Sequence, residues 1–201
     1  MCINFTTSLT SLFIGELSGL ILTFESKEKR AIGLFVMFYS LVQFFEANIH
    51  YYGNSASSIY SRLLLINLGF QGLVFFVLMS DIIEIPSFYI IICIIIAFTI
   101  MYMALSPDFE KATVNNCIKW NFMNDNTTIA LTIMYLLVFY WYLSDKTPYP
   151  ANSILDIGFI NKTGIFFAST YIISKTIATR TNSPGIWCML SAIVAPTFLL
   201  L

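Results

Sequence analysis

Gln43, Glu46 and His50 interrupt an otherwise apolar stretch, Ala31 to Tyr52, AIGLFVMFYSLVQFFEANIHYY. Gaps of three and four residues put all three on one face of a helix. The stretch is long enough to cross a bilayer, and an ionisable group inside a span is expensive and points to function by default. An amide, a carboxylate and an imidazole in such a row can hold a proton or ion, hydrogen-bond a small solute, or work with a cysteine in an intramembrane reaction.

A second polar pair, Asn67 and Gln71, is four residues apart within the next apolar stretch and also shares a face. With a rise of about 1.5 Å per residue and antiparallel neighbours, Gln43 and Gln71 fall near mid-bilayer. Glu46 and Asn67 then lie about one turn nearer the N-terminal side. The expectation is a hydrogen-bonded cluster of Glu46 with Asn67 and Gln71, with Thr10 and Ser11 within reach. The competing reading is interhelical glue, which amides provide without further purpose. Glu46 fits that reading less well, because a lone carboxylate is costly in hydrocarbon. Glu16 is a second intramembrane acid, at the centre of the first apolar stretch. Gly15, Ser18 and Gly19 around it permit close helix approach, so it pairs with the Gln43 stripe or faces another span, in a structural or a functional role.

These residues need a membrane bundle to position them. The 201 residues are 58% hydrophobic and only 10% charged, with a mean hydropathy of +0.80. A soluble domain carries about 25% charged residues, so the solvent here is lipid. Spans are expected at about 7–24, 31–51, 60–80, 87–105, 127–143, 163–179 and 185–201. The fold class is all-α, one transmembrane domain of seven helices, or six if the last apolar segment lies in the interface. The runs are continuous rather than alternating, which excludes a β-barrel, and no internal repeat suggests an inverted-repeat transporter. The first span has no basic leader and carries Glu16, so it reads as uncleaved rather than as a signal peptide. Glu25 to Arg30 reads as a charged turn, 53–58 as a loop, and 106–126 as the longest polar segment. The formal net charge of −1 without a basic block argues against nucleic acid as a partner.

The side of the N-terminus, face A, receives the end of the second span, the 106–126 segment and the start of the last span. Basic residues divide evenly between the faces, and Lys27, Lys29 and Arg30 after the first span lean toward an extracytoplasmic N-terminus. Asn126-Thr-Thr128 fits the glycosylation pattern on that face. Cys2, Cys117 and Cys188 also fall on face A with His50, whereas Cys93 is alone inside the fourth span and reads as a small core residue. A Cys2–Cys188 disulfide, free thiols and a metal site are the alternatives. No C-x-x-C spacing favours metal, so no metal ligands are assigned and no cofactor is identified. A retinal site would need a lysine in the last span, and a zinc hydrolase more than one histidine; the chain has neither. No nucleophile elbow, phosphate loop or selectivity filter is present.

The opening Met1-Cys-Ile-Asn-Phe-Thr-Thr-Ser-Leu9 resembles the MCFSATASF opening of an uncharacterised multi-pass membrane family of bacteria, eukaryotes and large DNA viruses. That family continues with Gln-x-x-Glu in its second span, here Gln43 and Glu46, and with a Trp-Cys pair opening the last span, here Trp187-Cys188. Cys117-Ile-Lys-Trp120 is similar to a Cys with a nearby Trp in the long loop of some members. Ile3 and Asn4 depart from the pattern, where the family has an aromatic residue and serine. The resemblance implies a membrane protein marked at Cys2, Gln43, Glu46, Trp187 and Cys188, and it brings no assigned reaction.

The sequence therefore predicts a polar pocket open to face A, built from Gln43, Glu46, His50, Asn67, Gln71 and Glu16. Cys2, Cys117, Trp187 and Cys188 are its expected lid or disulfide. The function expected first is binding or transport of a small solute, proton or ion. A structural membrane or envelope component is second, and a cysteine–glutamate intramembrane enzyme third. The lipid bilayer is the expected partner, and oligomerisation stays open.

Overall fold

The computed structural model describes residues 4–82, 84–115, 117–123 and 126–134. Four helices, α1 (Phe5–Thr23), α2 (Lys27–Tyr52), α3 (Ser57–Ser80) and α4 (Ser87–Leu105), are followed by strands β1 (Thr113–Asn115) and β2 (Cys117–Lys119). All four helices are long and apolar enough to cross a membrane. Residues 126–134 are helical and open the expected fifth span. The rest of that span and the two expected at 163–179 and 185–201 lie outside the described residues.

Short turns force the helices to alternate in direction. Lys27 at the start of α2 donates to the Asp81 carbonyl beyond the end of α3, and Arg62 near the start of α3 donates to the Ala104 carbonyl at the end of α4. The ends of α2 and α4 and the start of α3 thus share face A. Helices α2 and α3 form the centre, and α1 and α4 flank them. Ile91, Ile95, Phe98 and Tyr102 of α4 are exposed at helical spacing, as are Leu9, Phe13, Leu17 and Leu20 of α1. Such apolar stripes are compatible with contact to lipid.

The expected charged turn at 25–30 is shorter in the structure. Helix α2 begins at Lys27, because the Ser26 hydroxyl caps it by accepting from the Lys29 N–H at 3.3 Å. Lys29 pairs with Glu25 at 2.9 Å, and the Arg30 side chain reaches back to the Thr23 carbonyl at 3.1 Å. The charges thus leave the hydrocarbon along their own stems while the backbone stays helical. The loop after α2 is also shorter than expected, at 53–56. Gly53 ends the helix with φ of +57°, a conformation that other residues rarely adopt.

Helices α1 and α2 cross backbone to backbone. A Cβ on Gly33 would lie 2.5 Å from the Gly19 carbonyl oxygen, and one on Gly15 would lie 2.6 Å from Ser40 Cβ. Hydrophobic burial drives little association in lipid, so such small-residue crossings supply it through close packing. At the other side of the core, Gly69 admits Ile100 and Gly72 admits Met134 and Cys93.

The described architecture is all-helical as expected, with one short ladder added. In the 106–126 segment, β1 and β2 pair antiparallel, with Thr113 opposite Lys119 and Val114 opposite Ile118. Lys119 on its outer edge is exposed, a setting in which an open two-stranded ladder is tolerated as it is not in hydrocarbon. Its inner face is dry: Ala112, Ile118, Trp120 and Phe122 are buried and belong to the same core as Leu64, Leu65, Leu68 and Ile100. The longest polar segment therefore folds back onto the bundle.

Candidate functional site

Helix α2 positions the site. Gln43 and Glu46 are each only 1% exposed, among Val42, Ala47 and Ile49 of their own helix. The Trp120 indole hydrogen-bonds the Glu46 carboxylate. An indole N–H can only donate, so the loop supplies the hydrogen that this buried acid accepts. Glu46 Oε2, Gln43 Oε1 and Gln43 Nε2 are buried without a hydrogen-bond partner among the described residues. Buried polar groups of native proteins are almost always satisfied, and each exception calls for an explanation.

The expected cluster of Glu46 with Asn67 and Gln71 is not the one formed. Asn67 Nδ2 donates to the Phe38 carbonyl at 3.2 Å, and Asn67 Oδ1 accepts from Gln71 Nε2 at 3.2 Å. Asn67 is thus committed to α2 more than a turn deeper than Glu46. These bonds are what interhelical glue looks like. His50 is half-buried one turn beyond Glu46 on the same helix.

Glu16 is half-buried and faces α2, where Ser40 Oγ donates to its Oε1 at 2.7 Å. Ser40 lies one turn before Gln43, so Glu16 belongs to the same side of α2 but to a separate hydrogen bond. Of the two α1 residues expected near the cluster, Ser11 is buried and Thr10 is exposed. The contacts of Gly15 with Ser40 and of Gly19 with Gly33 and Met37 fix the α1–α2 register. Two turns toward face A, that register brings Ser8 to the level of Glu46 and Ala47. Ser8 is fully buried, and its Oγ has no partner among the described residues.

Above the site a row of rings leads to face A. Trp120 stacks on Phe122 with centroids 5.6 Å apart, and Phe122 stacks on Phe109 at 5.7 Å. The Arg62 guanidinium closes the row, 4.6 Å from the Phe109 ring centroid, within cation–π range. Arg62 also donates to the carbonyls of Ala104 and Ser106, at 3.1 Å for the second, and so caps the negative end of α4. The segment is tied down by Ala112 N–H donating to Ser61 Oγ at 3.0 Å and Lys111 Nζ donating to the Asn54 carbonyl at 3.0 Å. Asn121 closes it on itself by donating to the Lys111 carbonyl at 3.0 Å.

The sequence reading missed Trp120 as a site residue, and with it Arg62, Ser40 and Ser8. One signal was present: Ile118, Trp120 and Phe122 alternate with polar residues, the period of a half-buried strand. The expected lid residues Cys2, Trp187 and Cys188 lie outside the described residues. Cys117 opens β2 beneath face A, with only its backbone described. Cys93 is a fully buried core residue beside Gly72. Comparison of the chain with protein-family models, with curated proteins and with solved structures finds no match.

Proposed function

We propose that this is a multi-pass membrane protein that binds, and in the fuller reading transports, a small polar solute or ion at Glu46 and Gln43. The 106–123 segment is its cover on face A. The observation that carries the reading is the pair of adjacent side chains, both buried, holding three unpartnered polar atoms beneath a loop that touches Glu46. Leaving one such atom buried and unpaired costs about 1–3 kcal/mol. A chain that needed these residues only for packing would gain by making them apolar, or by pairing them as Asn67 and Gln71 are paired. The resemblance to the uncharacterised membrane family, whose marked Gln-x-x-Glu falls on these same two residues, adds weight and would bring Cys2, Trp187 and Cys188 to the same mouth.

The test is native mass spectrometry of the full chain purified in detergent, wild type beside Glu46→Gln. A small molecule or ion retained by the wild type and lost from a folded Glu46→Gln protein is the expected result. A bare wild-type chain, with Glu46→Gln altering only thermal stability, would shift the assignment to a structural membrane component.

A further inference from the structure

We propose that the ligand of this site is a small primary ammonium carrying an oxygen close to its nitrogen, as in a 2-amino alcohol. The inference rests on the binding reading above and names its chemical class. The unpartnered atoms at this level are three oxygens, Glu46 Oε2, Gln43 Oε1 and Ser8 Oγ, and one amide nitrogen, Gln43 Nε2. An ammonium group has three N–H donors and no acceptor, which matches three waiting oxygens, one of them on a carboxylate. Hard metal cations such as calcium and magnesium take six or more oxygen ligands, twice what these side chains leave unpaired. The Gln43 amide offers a donor as well as an acceptor whichever way round it lies, so a bare cation leaves Nε2 unsatisfied. An oxygen three bonds from the ammonium nitrogen, as in N–C–C–O, supplies the missing acceptor.

Charge and surroundings agree with a cation. Arg62, the charged end of the ring row, is committed to two carbonyls and to the Phe109 ring. The other described cations with a printed contact, Lys27, Lys29, Arg30 and Lys111, are held at the helix ends or loops. His50, half-buried one turn toward face A, is the one titratable cation on the same face of α2. Beside Glu46 lies the buried Trp120 ring, whose N–H is already given to the carboxylate and which offers no further cation.

A free amino alcohol and the headgroup of an ethanolamine phospholipid share this chemistry. The experiment is a ligand titration followed by thermal shift and calorimetry on the full chain in phosphatidylcholine nanodiscs. The probes are ethanolamine, ethylammonium, tetramethylammonium, potassium and acetamide. Ethanolamine is expected to bind saturably and about 2- to 10-fold more tightly than ethylammonium, the worth of one neutral hydrogen bond. Tetramethylammonium, which has no N–H, is expected not to bind. Glu46→Gln should weaken ethanolamine at least tenfold, the worth of a charge-assisted bond. Gln43→Leu, which keeps volume and charge balance, should abolish the preference for ethanolamine over ethylammonium while leaving binding measurable. Competition by phosphatidylethanolamine added to the nanodiscs would assign the headgroup as the source, and its absence the free amine. Binding of acetamide or potassium in preference to the ammonium probes would overturn the ammonium assignment and leave the binding reading standing. No binding of any probe, with native mass spectra also bare, would overturn both.

Discussion

Replacing Trp120 by Phe should open the 112–122 segment without unfolding the helices. The substitution keeps a ring beside Phe122 and removes the one N–H that the loop gives to Glu46. Glu46 then has both carboxylate oxygens unpartnered while remaining 1% exposed. A buried group stripped of its partner costs about 1–3 kcal/mol. That cost falls on the docked state of the loop alone, because the undocked loop leaves Glu46 free to hydrate. At 1.4 kcal/mol per factor of ten, the amides of Ala112 and its neighbours should exchange about 5- to 150-fold faster. Trp120→Ala also removes the stacked ring and should cost about 3–5 kcal/mol, enough to leave the segment open much of the time. The assay is hydrogen exchange by mass spectrometry on the full chain in nanodiscs, read separately for the loop and for α3 and α4. Trp120 is smaller as Phe, so a double-mutant cycle with Glu46→Gln separates lost volume from the lost bond. A coupling of about 1 kcal/mol is expected. Exchange in Trp120→Phe within twofold of wild type, or acceleration spread equally over α3 and α4, would refute the view that the Trp120–Glu46 bond holds the segment down.

Three further outcomes follow from the same contacts. Gly33→Ala drives a methyl group toward the Gly19 carbonyl, which cannot move without moving α1, and should cost about 1–3 kcal/mol in detergent unfolding. Gly72→Ala first meets Met134 Cγ at 2.6 Å and Cys93 Sγ at 3.2 Å, side chains rather than backbone, so with the helix-propensity gain it should cost less than Gly33→Ala in the same assay. Arg62→Lys keeps the charge but cannot serve two carbonyls and lie on Phe109 together, so loop exchange should rise about fivefold. Asn67→Leu removes the Gln71 acceptor and the bond to Phe38, and should lower unfolding stability by about 0.5–2 kcal/mol while ligand retention in native mass spectra is unchanged.

Much of the described architecture was legible because membrane helices obey few rules. An apolar run of the right length becomes a helix whatever its detailed order, and the fourth span was placed at 87–105, the bounds of Ser87–Leu105. The buried, shared face of Gln43 and Glu46 followed from spacing alone, and so did the close approach at Gly15 and Gly19. The loop was less legible. Its polar composition reads as exposed, and only the alternation of Ile118, Trp120 and Phe122 marks a face that turns inward. Nothing in spacing says which helix an inward-turned tryptophan will meet.

The depth of α3 shows why partners are harder to read than faces. With α3 expected to begin at 60, Asn67 would lie seven residues in from face A, level with Glu46. Helix α3 begins at Ser57, because the turn that Gly53 opens, 53–56, is only four residues long. Three residues at about 1.5 Å each carry Asn67 about 4.5 Å deeper, part of the way from the level of Glu46 to that of Phe38, eight residues earlier in α2. There it meets the Phe38 carbonyl instead of Glu46. The consequence reaches the site. Had the longer turn formed, Glu46 would be one more member of a closed amide network, with no need of the loop. With the shorter turn, Asn67 and Gln71 satisfy each other below, and Glu46 and Gln43 are left to whatever comes from face A. Trp120 meets one oxygen of Glu46 and leaves the second with both ends of Gln43. A four-residue turn thus separates a packing network from a binding site. Lengthening it by three residues after Asn54 should bring Asn67 back toward Glu46, and the expected result is loss of ligand retention with stability held. Retention unchanged in that insertion variant would show that the depth of α3 does not set the site.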